Sequence, residues 1–310
     1  MSTSPELPSI HQHPLAYLLG LEGVALLRAF AGEYDREFTQ ARIREIRELL
    51  DRTDEFGTGT DVPVMPTPRG YDGWAAGYDG EPNGAFPLQD RVLFPILDTL
   101  EPGVVVDAAC GTGRTSRELL RRGHRVLGFD LSPGMLERAR ANVPEAELAQ
   151  ASYTSLPVED DSADHVVCTL ALSHLEDLGR FFAEAARVLK PGGHLVISDT
   201  RGHFIGSRLY PVLERDVEGN VGYMPNWRHS AGDYVRAALE HEFAVRACEE
   251  PKRPDLTVEP DELPEPLDLS EPPDVWALHP WVAEAANAAR AGMSALVIWH
   301  FQLEDPQSSR

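Results

Sequence analysis

The chain has 310 residues, and its 50 acidic and 28 basic residues give it a formal net charge of −22. Because proteins that bind nucleic acids are usually basic, this balance disfavours a DNA or RNA partner and is typical of a well-solvated surface. A hydrophobic content of 42% at this length suits one large α/β domain with additions. The three cysteines, Cys110, Cys168 and Cys248, have neither metal-ligand nor disulfide spacing, which favours a reducing cytoplasm.

Residues 1–70 are predicted to form an N-terminal helical extension. The first ten residues lack the basic start and apolar run of a signal peptide. Residues 15–30 are apolar but too short and too charged to span a bilayer, so a buried helix is predicted there. An amphipathic helix is predicted over residues 33–52. A cap on the core, a homodimer contact and a lid over a substrate are all compatible with these helices.

An aromatic segment with the sequence YDGWAAGYD follows a connector rich in glycine and proline at residues 56–70. Tyr71, Trp74 and Tyr78 recur in this segment at helical spacing. Such a stripe can pack a helix against the core. Alternatively, its rings can face a bound cation, since cations are attracted to aromatic faces. A helix is predicted to follow over residues 88–100.

A ligand cradle is predicted where a buried strand meets a glycine turn. The three valines at residues 104–106 are typical of a strand that is buried on both faces. Asp107 stands where this strand ends, and the turn that follows contains Gly111 and Gly113. Glycines let the backbone approach a ligand closely. The free amides of the next helix, predicted over residues 114–122, favour negative charge.

Asp130 ends the second predicted strand, residues 124–129, where a carboxylate can accept two hydrogen bonds from a ribose diol. NAD and S-adenosylmethionine both carry such a ribose. The dinucleotide fingerprint needs a third glycine, but Ser116 stands at its position. Asp107 would also repel a pyrophosphate, whereas it suits the ammonium of a methionine moiety. The residues therefore favour S-adenosylmethionine over NAD.

Five further strands complete the prediction of an α/β fold with a doubly wound, mostly parallel seven-stranded sheet. A helix capped by Ser132, with Pro133 in its first turn, precedes the third strand. Residues 249–274 hold ten acidic residues and seven prolines, so an exposed insertion is predicted between the sixth and seventh strands. Such an insertion suits a final antiparallel hairpin. Strands three to seven are predicted at residues 147–151, 164–170, 194–199, 243–247 and 294–303.

Four motifs in order resemble those of class I S-adenosylmethionine-dependent methyltransferases: VVDAACGTGR, GFDLSPGML, LPVEDDSADHVVCTLALSHLED and VLKPGGHLVISD. With the aromatic segment they extend over about residues 70–200. The likeness is greatest to the small-molecule branch, which includes quinone-biosynthesis and natural-product tailoring enzymes. The resemblance implies a Rossmann-like fold in methyltransferase strand order. It also implies S-adenosylmethionine as the cofactor and a methyltransferase domain over residues 71–310, which includes the acidic insertion.

The resemblance further implies a set of cofactor contacts. The aromatic segment is similar to one that closes over the methionine end of the cofactor. This likeness assigns Tyr71 and Tyr78 to the cofactor and leaves Trp74 to packing. Ser152 and Tyr153 stand where the family usually places the Asp-Ala pair that contacts adenine. The full predicted set is Tyr71, Tyr78, Asp107, Ala109, Gly111, Gly113, Asp130, Leu131, Ser152, Tyr153 and Leu170.

Two histidines are candidates for a general base. Methyl transfer from a sulfonium is an in-line displacement, in which the protein mainly positions donor and acceptor. A hydroxyl or amine acceptor also needs to lose a proton. His174, after the fourth strand, and His203, after the fifth, follow strands at the edge where ligands bind, although either could be purely structural. No metal is predicted, because no ligand cluster stands at this edge.

The sequence leaves the acceptor and the methylated atom open. Recognition of a small-molecule acceptor is predicted to lie in residues 1–70 and 200–240, which the cofactor does not require. A protein of this fold could also use the bound cofactor in a reaction other than methylation, such as a cyclisation. An NAD-dependent oxidoreductase and a non-enzymatic binding protein are further alternatives, which the motifs above disfavour.

Overall fold

The computed structural model divides the chain into two compact units. The smaller unit combines Met1–Val64 with Arg253–Met293, and the larger unit combines Met65–Lys252 with Ser294–Arg310. The sequence prediction placed residues 253–293 with the sheet, whereas the structure groups them with the N-terminal helices. The residues that the structure describes are 7–80, 85–201, 207–252, 258, 267–272 and 275–305.

Helices and strands are numbered in chain order. The helices are α1 Pro14–Phe30, α2 Arg36–Asp51, α3 Thr67–Trp74, α4 Ala85–Leu97, α5 Arg114–Arg121, α6 Pro133–Asn142, α7 Gly179–Val188, α8 Ala231–Glu240, α9 Val275–Leu278 and α10 Ala283–Arg290. The strands are β1 Ile10–Gln12, β2 Thr60–Val62, β3 Val104–Ala108, β4 Arg125–Asp130, β5 Glu147–Gln150, β6 Ala163–Thr169, β7 Leu189–Thr200, β8 Leu209–Arg215, β9 Val221–Trp227, β10 Phe243–Glu249 and β11 Leu296–Leu303. Short 3₁₀ helices cover Thr53–Phe56, Leu172–His174 and His279–Val282.

Seven strands of the larger unit form one sheet in the order β10-β11-β7-β6-β3-β4-β5. β11 runs antiparallel to both of its neighbours, and the other adjacent pairs are parallel. The predicted fold, including its antiparallel last strand, is confirmed. From β3 the chain builds outward through β4 and β5, and it then returns to add β6 on the other side of β3. Ligands bind at such a switch point, outside the carboxyl ends of the strands.

Both faces of this sheet are covered, which explains why its central strands are continuously apolar. Val105 packs in a cluster with Leu93 of α4 and Leu119 of α5. Val106, the next residue along β3, packs in another cluster with Phe181 of α7 and Tyr234 of α8. Successive side chains of a strand point to opposite faces, so one short run of valines serves both layers.

The predicted start of α6 is confirmed. The hydroxyl oxygen of Ser132 accepts a hydrogen bond from the backbone amide of Met135 at 3.1 Å, and Pro133 occupies the first turn. This cap satisfies one of the free amides at the start of the helix. It also fixes the turn that leads from β4 into α6, and this turn carries residues of the site described below.

The smaller unit is built on helices α1, α2 and α10. Its core contains Leu18 and Ala25 of α1, Leu49 of α2 and the alanines of α10. A buried Arg42 in α2 pairs with Glu284 of α10 at 2.6 Å, and burial raises the pKa of the neighbouring Glu22. Shared apolar and ionic contacts therefore hold α10 beside the N-terminal helices. In the described ranges, no helix combines the length and the apolar character needed to cross a membrane.

The larger unit also contains a hairpin that the sequence analysis did not predict. Strands β8 and β9 pair antiparallel, from Leu209 opposite Trp227 to Arg215 opposite Val221. Helix α3 lies against both strands, and β9 lies beside the 3₁₀ helix Leu172–His174. The hairpin therefore joins the aromatic segment to the segment that carries His174.

Candidate active site

A cleft of about 290 Å³ opens at the carboxyl ends of β3, β4 and β6, entirely within the larger unit. This volume is close to the lower end of the range for small-molecule sites. The residues that line it come from α3 and the segment after it, the glycine turn, the β4–α6 turn with the start of α6, the loop after β5, and the end of β6 with the segment that follows. They are Thr67, Pro68, Tyr71, Tyr78, Ala109, Gly111, Asp130, Leu131, Ser132, Met135, Tyr153, Thr169, Leu170, Ala171 and His174.

The two glycines of the turn after β3 have different surroundings. Gly111 has a φ of +55°, and a Cβ placed on it would meet nothing within 4 Å. Gly113 has a φ of +85°, and a Cβ there would approach Cγ2 of Val143 to 2.6 Å. Gly111 therefore lines the cleft, while Gly113 lies outside the lining and lets α5 pack closely on the end of α6.

Two non-glycine residues of the cleft also have left-handed backbone conformations. Ala109 has a φ of 64° and Leu170 a φ of 56°. Each follows directly on a central strand, β3 or β6, and both were predicted site residues. Such conformations are costly for L-amino acids and are concentrated at functional sites, where the surrounding fold enforces them.

Asp130 lies at the end of β4, and its carboxylate holds two turns, the glycine turn after β3 and the turn that leads from β4 into α6. Its Oδ2 accepts a hydrogen bond from the amide of Gly111, and its Oδ1 accepts one from the amide of Ser132, each at 2.9 Å. Burial raises the pKa of this carboxyl group, and the two amides oppose that rise. Each oxygen retains a lone pair, so the carboxylate can still accept hydrogen bonds from a bound hydroxyl.

Asp107 is fully buried in β3 and does not line the cleft, although Ala109, two residues on, does. Its Oδ2 accepts a hydrogen bond from the Ser116 hydroxyl at 2.6 Å. Its Oδ1 has no hydrogen-bond partner among the described residues. Burial raises the pKa of Asp107 to about 6. Ser116, which breaks the dinucleotide fingerprint, thus supports this carboxylate.

The two Tyr-Asp pairs of the aromatic segment share one arrangement. Tyr71 and Tyr78 line the cleft, and the aspartate after each tyrosine is bonded to the core. Asp72 accepts hydrogen bonds from the hydroxyl of Ser132 at 2.5 Å and from the amide of Gly134 at 2.9 Å. Asp79 accepts one from the hydroxyl of Thr112 at 2.8 Å. The aspartates fasten the segment to the start of α6 and to the glycine turn.

His174 lines the cleft at the end of its 3₁₀ helix and bonds through both ring nitrogens. Its Nδ1 lies 2.8 Å from the carbonyl oxygen of Pro225, and its Nε2 lies 2.9 Å from the Tyr71 hydroxyl oxygen. Burial lowers the pKa of this histidine. Asp199 of β7, a buried carboxylate, accepts hydrogen bonds from Ser173 and so holds the 3₁₀ helix that carries His174.

The adenine-contact pair predicted from the resemblance separates in the structure. Tyr153 lines the cleft and packs edge-on against Phe181, with ring centroids 6.0 Å apart. Ser152 lies outside the lining, and its hydroxyl bonds locally to the hydroxyl of Thr154 at 2.9 Å. The cleft therefore receives a phenol from this loop rather than the serine hydroxyl.

The structure thus brings most of the predicted residues together. Tyr71, Tyr78, Ala109, Gly111, Asp130, Leu131, Tyr153, Leu170 and His174 all line one cleft. Asp107, Gly113 and Ser152 lie outside its lining, and His203 lies outside the described residues. Within the described part of the chain, no three or more His, Cys, Asp or Glu side chains are grouped to hold a metal ion.

Six further lining residues were not predicted. Ser132 carried a signal, since its place as the helix cap set it beside Asp130. Thr169 and Ala171 flank the predicted Leu170, so the strand end indicated their region. Thr67, Pro68 and Met135 lacked any signal, because they reach the cleft only through the packing of α3 and α6.

Sequence comparisons point to one enzyme family. Residues 106–197 match a family described as a methyltransferase domain. A demethylmenaquinone methyltransferase of Tropheryma whipplei is 37% identical over 165 residues, which cover 51% of this chain and 69% of that protein. A malonyl-[acyl-carrier protein] O-methyltransferase of Hahella chejuensis is 43% identical over 102 residues, 31% of this chain and only 36% of that protein.

Two solved structures share the fold. The complex of the Haloferax volcanii Trm112 methyltransferase activator with a methyltransferase has a TM-score of 0.52 and 23% identity, over 76% of this chain and 97% of that one. The [4+2]-cyclase SpnF has a TM-score of 0.51 and 18% identity, over 79% and 98% of the two chains. At these identities the likeness extends to the fold and not to the activity.

Proposed function

Since the chain belongs to the class I S-adenosylmethionine-dependent methyltransferases, we propose that it transfers a methyl group to a small-molecule acceptor in the cleft. Its cofactor is S-adenosylmethionine. The observation that carries the proposal is Asp107, a fully buried carboxylate with one unpartnered oxygen, two residues before the floor of the cleft at Ala109. A buried carboxylate with an unpartnered oxygen attracts a cation and repels a pyrophosphate. It therefore favours S-adenosylmethionine, which carries an ammonium group, over NAD, which carries a pyrophosphate.

The other residues of the cleft fit the remaining parts of the cofactor. Asp130 has free lone pairs for the ribose hydroxyls. The open space at Gly111 leaves room for the cofactor next to the backbone. Tyr71 and Tyr78 can present aromatic faces to a sulfonium. Tyr153, which the resemblance assigns to adenine, lines the cleft, and so does Leu131 next to Asp130. Ala109 and Leu170 contribute backbone at the ends of β3 and β6, and Gly113 acts indirectly, through packing.

When bound, S-adenosylmethionine supplies a methyl group on a sulfonium, so the protein has to orient the acceptor, exclude water and receive its proton. His174 is the candidate base in the described part of the cleft, and His203 remains a second candidate. The two relatives are named for a demethylmenaquinone and for a malonyl-[acyl-carrier protein], which differ chemically. The acceptor is therefore left as a small molecule without a name.

Calorimetry with S-adenosylhomocysteine, S-adenosylmethionine and NAD tests the cofactor site. We expect binding of the first two and not of NAD. Gly111→Val should abolish binding, because its side chain would enter the open space beside the cleft. A φ of +55° is strained for a β-branched residue, so the Tm should also fall, while the fold should stay largely intact. Gly113→Ala is the matched control. It should lower the Tm through its contact with Val143 and weaken binding less.

A turnover assay that detects S-adenosylhomocysteine separates methylation from its alternatives. Methyl transfer releases one S-adenosylhomocysteine for each acceptor consumed. A cyclisation would consume its substrate while S-adenosylmethionine remains unchanged. Equal affinity of the Gly111→Val protein and the unchanged protein for S-adenosylhomocysteine would contradict the site.

A further inference from the structure

The hydrogen bond between Tyr71 and His174 joins two groups that the sequence separates by 103 residues. The oxygen of the Tyr71 hydroxyl lies 2.9 Å from Nε2 of His174, and the two rings meet edge to face with centroids 5.4 Å apart. Both side chains line the cleft. A bound acceptor can therefore meet the phenol, while the histidine nitrogen behind it is already engaged.

The surroundings of His174 fix the direction of this bond. The carbonyl oxygen of Pro225 can only accept, so Nδ1 of His174 must carry a hydrogen and donate it over the 2.8 Å between them. Burial lowers the pKa of His174, which keeps the imidazole neutral near pH 7. Nε2 of the neutral ring then holds a lone pair and accepts the hydrogen of the Tyr71 hydroxyl.

The groups that face Tyr71 keep its phenol protonated. Burial raises the pKa of Tyr71 well above its usual value, and Tyr78, Asp130, Asp199 and Tyr153 add to the rise. A phenol in this setting does not act as a base alone. It can take a proton on its oxygen only if it gives up its own hydrogen in the same movement, and His174 stands ready to receive that hydrogen.

We propose, on the basis of the proposed methyltransferase function, that Tyr71 is a catalytic residue that relays the proton of the acceptor hydroxyl to His174. The acceptor oxygen bonds to the methyl carbon as the carbon–sulfur bond breaks and its electron pair stays on sulfur. The acceptor proton moves to the oxygen of Tyr71, and the hydrogen of Tyr71 moves to Nε2 of His174. The histidine ends as an imidazolium and returns its proton to solvent after product release.

The relay also restricts the acceptor to a weakly acidic hydroxyl. Proton transfer in a transition state is efficient when the partners differ little in pKa. A buried neutral imidazole matches an aliphatic alcohol poorly, whereas a phenol, with a pKa of about 10, lies within reach. A phenolic acceptor also fits a cleft lined by the rings of Tyr71, Tyr78 and Tyr153. The relay thus predicts O-methylation of a phenol.

The experiment compares phenol, catechol and hydroquinone with 4-nitrophenol at about pH 7.5, where 4-nitrophenol is mostly ionised and the other three are almost wholly un-ionised. S-adenosylhomocysteine formation is followed for the unchanged protein and for Tyr71→Phe. The variant keeps the ring and loses only the hydroxyl. We expect it to lower kcat about 100-fold or more for the three un-ionised phenols, the range of general-base effects, and to change kcat little for 4-nitrophenol.

Two further variants test the partners. His174→Gln can still accept a hydrogen bond from Tyr71 but cannot take up its proton, so it should show the same selective loss. Tyr78→Phe removes a hydroxyl of the same cleft that is outside the relay, so any change in kcat should be the same for all four acceptors. Calorimetry with S-adenosylhomocysteine should give near-equal affinities for the unchanged protein and Tyr71→Phe.

Nitrogen-detected NMR of the histidine ring provides a readout independent of turnover. His174 should be the Nδ1–H tautomer, and Tyr71→Phe should shift only its Nε2 resonance. An equal loss of kcat for all four acceptors, or no loss for any, overturns the relay. Methylation of amines or thiols but of none of the phenols overturns it as well and leaves the methyltransferase function standing. Failure to bind S-adenosylhomocysteine would instead overturn the proposed function.

Discussion

The carboxyl group of Asp107 is buried, and a cationic ligand would stabilise its ionised form. Ser116 bonds to one of its oxygens, the other has no partner among the described residues, and burial raises its pKa to about 6. A nearby ammonium favours the ionised form of a carboxyl group and so lowers its pKa. Cofactor binding and proton loss from Asp107 are therefore coupled.

This coupling predicts that affinity for S-adenosylhomocysteine falls as the pH drops through about 6. Below that pH the free protein holds the carboxyl group protonated, and the proton must leave before the ammonium can pair. The loss should approach about tenfold for each pH unit. Calorimetry between pH 5 and 8 measures it. In Asp107→Asn the affinity should be lower at pH 7.5 and nearly independent of pH, and an unchanged slope in that variant would contradict the assignment.

Residues of the cleft that lie on local motifs could be predicted from the sequence. Gly111 and Asp130 follow strands whose ends are marked by glycine turns, and parallel strands bring those ends to one edge. The pairing of Tyr71 with His174 could not be predicted in the same way. It depends on the packing of α3 against the β8–β9 hairpin and on the hydrogen bond to the carbonyl oxygen of Pro225. No sequence motif predicts either contact.

Among the elements, the β8–β9 hairpin escaped prediction because its sequence hides its strands. LYPVLER and VGYMPNW show no strict alternation, and each contains a proline, which usually argues against a strand. Pro211 and Pro225 lie opposite each other in the register, in an isolated two-stranded ribbon whose strands are both edges. Prolines are tolerated in edge strands, so the proline in each of these segments does not prevent it from forming a strand.

A row of four histidines crosses the sheet near the amino ends of its parallel strands. It consists of His124 before β4, His165 in β6, His194 in β7 and His300 in β11, with neighbouring ring centroids 5.0 to 5.5 Å apart. Nδ1 of His194 lies 2.9 Å from Nε2 of His300. Burial and the neighbouring histidines lower the pKa of His300 to about 4, and burial also lowers those of His124 and His194.

The row predicts that stability is lost as the pH falls from about 6.5 toward 4. In this window the histidines of the unfolded chain bind protons, whereas His300, His124 and His194 of the folded chain have lowered pKa values and bind fewer. Protonation therefore favours unfolding. Thermal unfolding at several pH values measures the effect. Between pH 7 and 4.5, His300→Gln should lose a few degrees of Tm less than the unchanged protein, since about 1 kcal/mol shifts the Tm by about 2–4 °C in a unit of the size of the larger one. His241→Gln, outside the row, is the control, and an equal loss in both variants would exclude the row as the cause.

At the scale of the whole molecule, the sequence indicated the sheet but not the composition of the smaller unit. The strand motifs occur in order along one stretch, which made the larger unit predictable. The smaller unit joins α1 and α2 to α10, more than 200 residues later, through Arg42, Glu284 and a core of alanines and leucines. Alanine-rich helices carry no mark of their partner, so their place follows only from packing.

The larger unit should function as a cofactor-binding protein without the smaller one. Lys252 and Ser294, where the chain leaves and re-enters the larger unit, form an antiparallel bridge, and the amide of Ala295 donates to the carbonyl of Pro251. A two-residue Asn-Gly turn can therefore join them directly.

We predict that a chain without residues 1–64, with residues 253–293 replaced by this turn, folds and binds S-adenosylhomocysteine, since every residue lining the cleft is present. The Tyr71–His174 pair is kept, but residues 1–64 belong to the region that the sequence predicts to recognise the acceptor, so methylation of the acceptor should fall through a raised KM. Circular dichroism, calorimetry and S-adenosylhomocysteine formation measure the three properties, and full turnover in the shortened chain would place acceptor recognition within the larger unit.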